Sequence, residues 1–223
     1  MVTVHRSLAI DVEIPQRRVA SAQLPIFGSI LPIMKQGMFL VLSLALANAA
    51  LAVDVGDKVG EFKLSDVQGK SHALSSYSGK IVVLAFWSFK CPVALGYTER
   101  IRALGERYSG KGVVLLGVAS NSNETPAELR RNVTNLGLVF PLLIDSEGTL
   151  AETLGATHTP SVFILDRGGV VRYQGSLDNN KRPGDSSRIA HAEEALESLL
   201  AGQLIEVQET VPFGCAIRAR STP

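Results

Sequence analysis

The stretch KIVVLAFW at residues 80–87, in which every side chain after Lys80 is apolar, is the feature that most limits how this chain can fold. A strand with one face in water alternates apolar and polar residues, whereas β-branched and aromatic side chains at every position indicate a strand covered on both faces. A second run, GVVLLGVA at residues 112–119, has the same character. Two such strands with a helical pattern between them predict a strand–helix–strand unit of an α/β fold.

The rest of the chain adds strands and helices to this unit. FPLLID, SVFILD and VVRYQG predict three short strands, and a tight turn at residues 167–169 joins the last two into a hairpin. Apolar spacing predicts helices from Pro92 to about Tyr108, after Thr125, and near the end of the domain. With a turn at residues 68–70 that predicts an N-terminal β-hairpin, the fold class is α/β, with a central mixed sheet flanked by helices.

One cysteine follows the first buried strand directly. Cys91 precedes Pro92, which suits the first turn of a helix because its missing N–H would have no partner there. A helix N-terminus stabilises an anion, so we expect a lowered pKa for the Cys91 thiol, with Lys90 adding to the effect. This placement predicts a reactive nucleophile, with an inert core cysteine as the alternative. The position three residues on, where a dithiol motif has its second cysteine, is Ala94.

Composition excludes several other functions. The formal net charge is +1 without a basic stripe, which argues against a nucleic-acid partner. The two cysteines, Cys91 and Cys215, are too few for a disulfide-stapled small fold, so any sulfur chemistry depends on this pair. The four histidines are scattered, and none has metal-ligand spacing from another histidine or a cysteine. We therefore expect no metal and no organic cofactor.

The N-terminal part of the chain has the pattern of a targeting sequence. Lys35, an almost wholly apolar stretch at residues 38–51, and the small residues Ala50 and Ala52 predict a signal peptide at residues 34–52. If this segment is retained instead of cleaved, it would anchor the protein to a membrane, although it is short for a span of roughly 20 residues. The predicted location is therefore exported, either periplasmic or otherwise extracytoplasmic, where disulfides persist.

The domain boundaries follow from this interpretation. Residues 1–33 carry no clear periodicity and are interpreted as a non-structural extension, either an over-extended reading frame or a disordered leader. The globular domain is predicted at residues 53–202. A C-terminal tail at residues 203–223, which carries Cys215, follows the last helix.

Two long stretches, VVLAFWSFKCP and FPLLIDSEGTLAETLGATHTPSVFILDRGGVVRYQG, carry a family resemblance. Over residues 55–174 the chain resembles the thioredoxin-like superfamily, and within it the redoxin branch of AhpC/TSA proteins and extracytoplasmic thiol–disulfide oxidoreductases. The resemblance implies a thioredoxin-like fold, an oxidoreductase with Cys91 as nucleophile, and a cis bond between Thr159 and Pro160. That cis turn would leave a backbone edge free to pair with a substrate chain beside Cys91.

The chain departs from both branches of this resemblance. Thioredoxins have a second cysteine where this chain has Ala94, so a mixed disulfide on Cys91 would lack a neighbouring thiol to release it. Peroxiredoxins have a proline where this chain has Leu84, and their peroxide-binding arginine aligns near Pro160. Ser88 keeps the hydroxyl group three residues before the cysteine. Arg172 lies one strand further on, which puts fast peroxidase chemistry in doubt.

The tail contains the second sulfur. Its sequence ETVPFGCAIRAR resembles a Gly-Cys-x-Ile-Lys/Arg ending of redoxin-domain relatives whose active-site motif also lacks the second cysteine. The resemblance implies that Cys215 is the resolving partner of Cys91. An unpaired tail cysteine and an intermolecular bridge are the alternatives.

Three functions are compatible with these features. The leading one is extracytoplasmic thiol–disulfide exchange with a protein partner that bears a thiol or disulfide, and with an external electron donor. A thiol-dependent peroxidase acting through a Cys91 sulfenic acid is the second, and a non-catalytic module that binds extended protein segments is the third. Asp178 is expected to lie in a solvated turn, with a position lining the site as the alternative. The residues expected to bind substrate are Trp87, Pro92, Thr159 and Pro160, with simple packing as the alternative for Trp87.

Overall fold

The computed structural model describes residues 52–179 and 185–219. The predicted extension at residues 1–33 lies outside this part of the chain, as does the predicted signal peptide at residues 34–52 except for Ala52. Within the described residues, no helix is both long enough and apolar enough to cross a membrane.

The elements of the described residues alternate along the chain, as the sequence predicts. The strands are β1 (Lys63–Ser65), β2 (Ser71–Ala73), β3 (Ile81–Phe86), β4 (Val113–Ala119), β5 (Leu142–Ile144), β6 (His158–Thr159), β7 (Ser161–Leu165), β8 (Val171–Gly175) and β9 (Cys215–Ala216). The helices are α1 (Pro92–Leu95), α2 (Thr98–Tyr108), α3 (Pro126–Asn135), α4 (Thr149–Leu154) and α5 (His191–Ala201), with a 3-10 turn at Leu74–Tyr77.

A five-stranded mixed sheet in the order β5-β4-β3-β7-β8 forms the centre of the domain. Strands β3, β4 and β5 are parallel, whereas β7 runs antiparallel to both β3 and β8. The predicted N-terminal hairpin is the antiparallel pair β1–β2. The α/β fold class with a mixed sheet is therefore confirmed.

Strand β3 is buried along its whole length, which accounts for its continuous apolar sequence. Successive side chains of a strand point to opposite faces of the sheet. Val83 and Ala85 accordingly belong to a core that includes side chains of α2, α3 and α5. Leu84 and Phe86 belong to a second core on the other face, which includes side chains of α4.

The helix predicted from Pro92 to about Tyr108 is instead two helices, and this part of the prediction is wrong. Helix α1 ends after one turn, with Gly96 as its C-cap, and α2 begins after Tyr97. Glycine in a helix interior costs about 0.5–1 kcal/mol relative to alanine, which favours a break at this point. As a result, the helix that Cys91 caps, α1, has only one turn.

The tail runs back along the edge of the sheet where β3, β4 and β8 have their carboxyl ends. It first pairs with the end of β8, where the Thr210 N–H donates to the Gln174 carbonyl at 3.0 Å. It then forms β9 against β6. Beyond β9, the Ser122 N–H donates to the Arg218 carbonyl at 2.8 Å, past the end of β4. The tail therefore lies across the edge that carries Cys91.

Candidate active site

Cys91 is the N-cap residue of α1, and its sulfur accepts the Ala94 N–H at 3.4 Å. Its own N–H donates to the Ser88 carbonyl at 3.3 Å, which fixes the turn between β3 and α1. The residue is 1% exposed. The thiol therefore lies at the N-terminus of a helix, as predicted. The sequence did not indicate that it would be buried.

The bond between Thr159 and Pro160 is cis, as the family resemblance implies. This turn joins β6 to β7 and brings the Thr159 carbonyl to 3.1 Å from the Cys91 sulfur, where the thiol donates to it. Both Thr159 and Pro160 are buried. The resemblance also predicts a free backbone edge at this turn, but that edge is occupied.

The occupant is the tail of the same chain. Strand β9 is antiparallel to β6, with Cys215 opposite Thr159 and Ala216 opposite His158. The Ile217 N–H donates to the Thr157 carbonyl at 2.8 Å and continues the pairing. An extended chain beside the cis turn is therefore present already, and its cysteine faces Cys91.

The glycine before Cys215 is required by a close approach of two backbones. Gly214 has φ of +141°, and a Cβ atom at this position would lie 2.0 Å from the Thr159 carbonyl oxygen. Real contacts of this kind are not shorter than about 3 Å, so a side chain would push β9 away from β6. The Gly-Cys pair of the tail thus has a structural explanation that does not depend on family resemblance.

The two sulfurs are free thiols in contact, and they influence each other's ionisation. Burial alone would raise the pKa of Cys91, but hydrogen bonds from the Cys215 thiol, the Ala94 N–H and the Thr159 side chain outweigh it and hold this pKa below its usual range. The pKa of Cys215 is raised because its thiol donates to Cys91, because it is partly buried and because a Cys91 thiolate repels a second negative charge. As the pH rises, Cys91 is therefore the first of the two cysteines to lose its proton.

Lys90 does not contribute to the lowered pKa of Cys91 as the sequence predicts. Its ammonium group binds the Asn123 carbonyl and lies 3.9 Å from the Glu128 carboxylate. The hydrogen bonds around the Cys91 sulfur, rather than this neighbouring charge, are what offset its burial.

A buried ionic cluster lies behind α1, and the sequence prediction missed it. Asp178 is fully buried and accepts hydrogen bonds from the Tyr97 hydroxyl at 2.6 Å and from Arg100 at 2.8 Å, and it also pairs with Arg188 at 2.5 Å. The prediction of a solvated turn is wrong because two guanidinium groups compensate the carboxylate inside the protein. The Tyr97 ring in turn packs against Phe213 of the tail, with 6.0 Å between ring centroids.

The other residues predicted to bind substrate have different environments. Pro92 is exposed next to Cys91, whereas Thr159 and Pro160 lie under the tail. Trp87 is 1% exposed and belongs to the core, so the packing alternative is correct and the groove interpretation is wrong. It directly follows β3, and the alternation of that strand directs its side chain into the core.

Ser88 and Arg172, the two residues that the comparison with peroxiredoxins singles out, each have a hydrogen-bond partner other than the Cys91 sulfur. The Ser88 hydroxyl accepts the Lys90 N–H at 3.1 Å. Arg172 pairs with Asp166 at 2.7 Å, at the end of the sheet opposite to Cys91, because β7 and β3 run in opposite directions. A cavity of about 600 Å³ that includes Arg167 among its lining residues is also at that far end.

Comparisons with known proteins show what the whole chain is similar to. The chain is 32% identical to thiol-disulfide oxidoreductase ResA of Geobacillus thermodenitrificans over 121 residues, 54% of this chain and 68% of that protein. A hypothetical protein from Sinorhizobium meliloti has a TM-score of 0.70 at 26% identity and covers 77% of this chain and 98% of its own. The pneumococcal exposed lipoprotein thioredoxin of Streptococcus pneumoniae has a TM-score of 0.50 at 26% identity. The match covers 64% of this chain and 99% of that protein's chain.

Together, the thioredoxin-like fold, the cysteine at the start of α1 and these relatives define a redoxin-type thiol–disulfide oxidoreductase. The model of the AhpC/TSA family matches residues 55–174. The chain belongs to that family.

Proposed function

We propose that the protein exchanges thiols and disulfides through Cys91 as nucleophile and Cys215 as resolving cysteine. The observation that carries this proposal is the contact between the two thiols, with Cys215 held opposite Thr159 in the β6–β9 pair. The lowered pKa of Cys91 and the raised pKa of Cys215 support the assignment of roles, because the thiolate is the attacking form.

The proposed cycle transfers two electrons. The Cys91 thiolate attacks one sulfur of a substrate disulfide and expels the other as a thiolate, which leaves a mixed disulfide. Cys215 then gives its proton to solvent and attacks the Cys91 sulfur, so that a Cys91–Cys215 bond forms and the second substrate thiolate leaves. An external dithiol donor reduces the new disulfide and itself becomes a disulfide.

The proposed substrate is a protein disulfide or dithiol. Exposed Pro92 is available to such a partner in the state described here, whereas Thr159 and Pro160 become available only when β9 moves away. A substrate chain that pairs with the cis turn therefore competes with the tail for the same edge. The non-catalytic binding module is the weaker interpretation, because two thiols in contact are not needed for binding alone.

The proposed compartment is extracytoplasmic. The signal peptide predicted at residues 34–52 supports it. Cell fractionation followed by N-terminal sequencing tests this part: a mature N-terminus near Val53 outside the cytoplasm agrees with it, and a full-length cytoplasmic protein contradicts it. Retention of residues 34–52 in the membrane fraction would indicate an anchored form.

Peptide mass spectrometry after rapid alkylation, without reductant, tests the pair itself. The expected result is a Cys91–Cys215 linkage within one chain after mild oxidation, released by dithiothreitol. The matched controls are Cys91→Ser and Cys215→Ser, each of which should lose the linkage and the exchange activity of the wild type. Two alkylated thiols in the oxidised wild-type protein would contradict the proposal.

A further inference from the structure

The two sulfurs of the proposed pair differ in their access to solvent. Cys91 is 1% exposed, with its sulfur between the Thr159 carbonyl and the Ala94 N–H. Cys215 lies on the outer side of this arrangement and remains partly exposed, with exposed Gly214 and Ala216 on either side of it. A molecule that approaches from solvent therefore meets Cys215 before it meets Cys91.

Access matters because a thiolate reduces a disulfide by attacking one sulfur and expelling the other. The attacked sulfur must be reachable, and the expelled sulfur leaves faster when its thiol is the stronger acid. In this site, the reachable sulfur belongs to Cys215. The better leaving group is Cys91, whose sulfur accepts the Ala94 N–H at the start of α1 and whose pKa is the lower of the two.

We propose that Cys215 is the sulfur through which a thiol reductant enters the cycle, with β9 still paired to β6. This proposal rests on the Cys91–Cys215 disulfide of the proposed function. The reductant thiolate attacks the Cys215 sulfur, the disulfide bond breaks, and Cys91 leaves as a thiolate. A second reductant thiolate then attacks the reductant sulfur of the mixed disulfide and expels Cys215, which takes a proton from solvent. Two reductant thiols become one disulfide, and the protein gains two electrons.

The pairing of the tail supports the same order of events. The family resemblance implies that a partner chain pairs at the cis turn beside Cys91, but β9 fills that edge. The Cys215 sulfur is not covered in this way. It accepts a hydrogen bond from the Val93 N–H and therefore lies above the first turn of α1, next to exposed Pro92. A reductant can reach it over this small apolar surface without unpairing any strand.

The test locates the first mixed disulfide. The oxidised wild-type protein is mixed with excess reduced glutathione, quenched in acid after a series of short times, alkylated with N-ethylmaleimide and digested for mass spectrometry. The expected early product carries glutathione on the Cys215 peptide and N-ethylmaleimide on the Cys91 peptide, in at least about tenfold excess over the reverse arrangement. The glutathionylated Cys91→Ser and Cys215→Ser variants serve as standards for the two modified peptides.

Each other outcome has a distinct meaning. Glutathione on Cys91 at the earliest times, or in equal amounts on both cysteines when extrapolated to zero time, overturns the inference. If no Cys91–Cys215 disulfide forms before glutathione is added, the proposed function has failed instead.

Discussion

The backbone of Gly214 approaches the Thr159 carbonyl so closely that a Cβ atom at position 214 would lie 2.0 Å from its oxygen. This single contact fixes how near the tail comes to the cis turn, and Cys215 is the next residue. The distance between the two sulfurs therefore depends on the absence of a side chain at position 214.

The first prediction is that Gly214→Ala slows formation of the Cys91–Cys215 disulfide by about tenfold or more, because β9 must move away from β6 and a disulfide needs Cα atoms within about 7 Å. The rate is measured by quenched alkylation after addition of an oxidant. Gly202→Ala is the matched control: Gly202 also has a positive φ, +68°, but a Cβ there meets nothing within 4 Å. Equal rates in the two variants would contradict the role given to the close approach.

The second prediction concerns the hydrogen bond between the two thiols. Cys215→Ala removes a donor to the Cys91 sulfur, so the pKa of Cys91 should rise towards its ordinary value, whereas Cys215→Ser retains a donor and should keep it low. The thiolate absorbance in the ultraviolet, followed against pH, measures the shift. If both variants titrate alike, the Cys215 side chain does not lower this pKa.

The same lowered pKa has a consequence for stability, best seen in Cys215→Ser because only Cys91 then titrates as a thiol. A folded-state pKa below the unfolded value of 9.0 means that the folded protein loses this proton first. The stabilisation is full above about pH 9 and is lost as the pH falls through the folded-state pKa. Denaturant unfolding of Cys215→Ser at several pH values should show this trend relative to the Cys91→Ser, Cys215→Ser double variant, and a flat difference would contradict it.

Much of this site follows from local sequence. The continuous apolar run of β3 predicts a strand buried on both faces, and Pro92 predicts where the next helix begins, so the position of Cys91 at the sheet edge needs no further information. The cis bond at Pro160 comes from family resemblance, because no local rule specifies it.

The contacts that shape the site are different, since they join residues far apart in the chain. Thr159 and Cys215 are 56 positions apart, and Tyr97 and Asp178 are 81 apart. Periodicity describes which face of one element is apolar, but it does not state which segment covers a sheet edge. Asp178 illustrates this: its polar, glycine-containing surroundings indicate a turn, and only the fold brings two arginines to it.

The third prediction is that Asp178→Asn destabilises the folded protein by about 3 kcal/mol, because it removes the buried carboxylate that pairs with both Arg100 and Arg188. Arg188 keeps its pairing with Glu193 at 2.9 Å. Urea unfolding measures the change. The control is Glu99→Gln, which makes the same chemical change at an exposed carboxylate 3.2 Å from Arg102 and should cost at most about 1 kcal/mol. Similar losses in both variants would mean that burial does not distinguish the two pairs.

The fourth prediction separates thiol exchange from peroxide reduction. A fast peroxidase needs a cation beside its thiolate to bind peroxide, but Arg172 is bound to Asp166 at the opposite end of the sheet. We therefore expect the reduced protein to consume hydrogen peroxide within about tenfold of the rate of a free thiol of equal acidity. Arg172→Gln should leave this rate unchanged, whereas Cys91→Ser should remove the part of the peroxide consumption that Cys91 carries. Fast consumption that is lost in Arg172→Gln would show that this arginine reaches Cys91 during turnover and would favour the peroxidase.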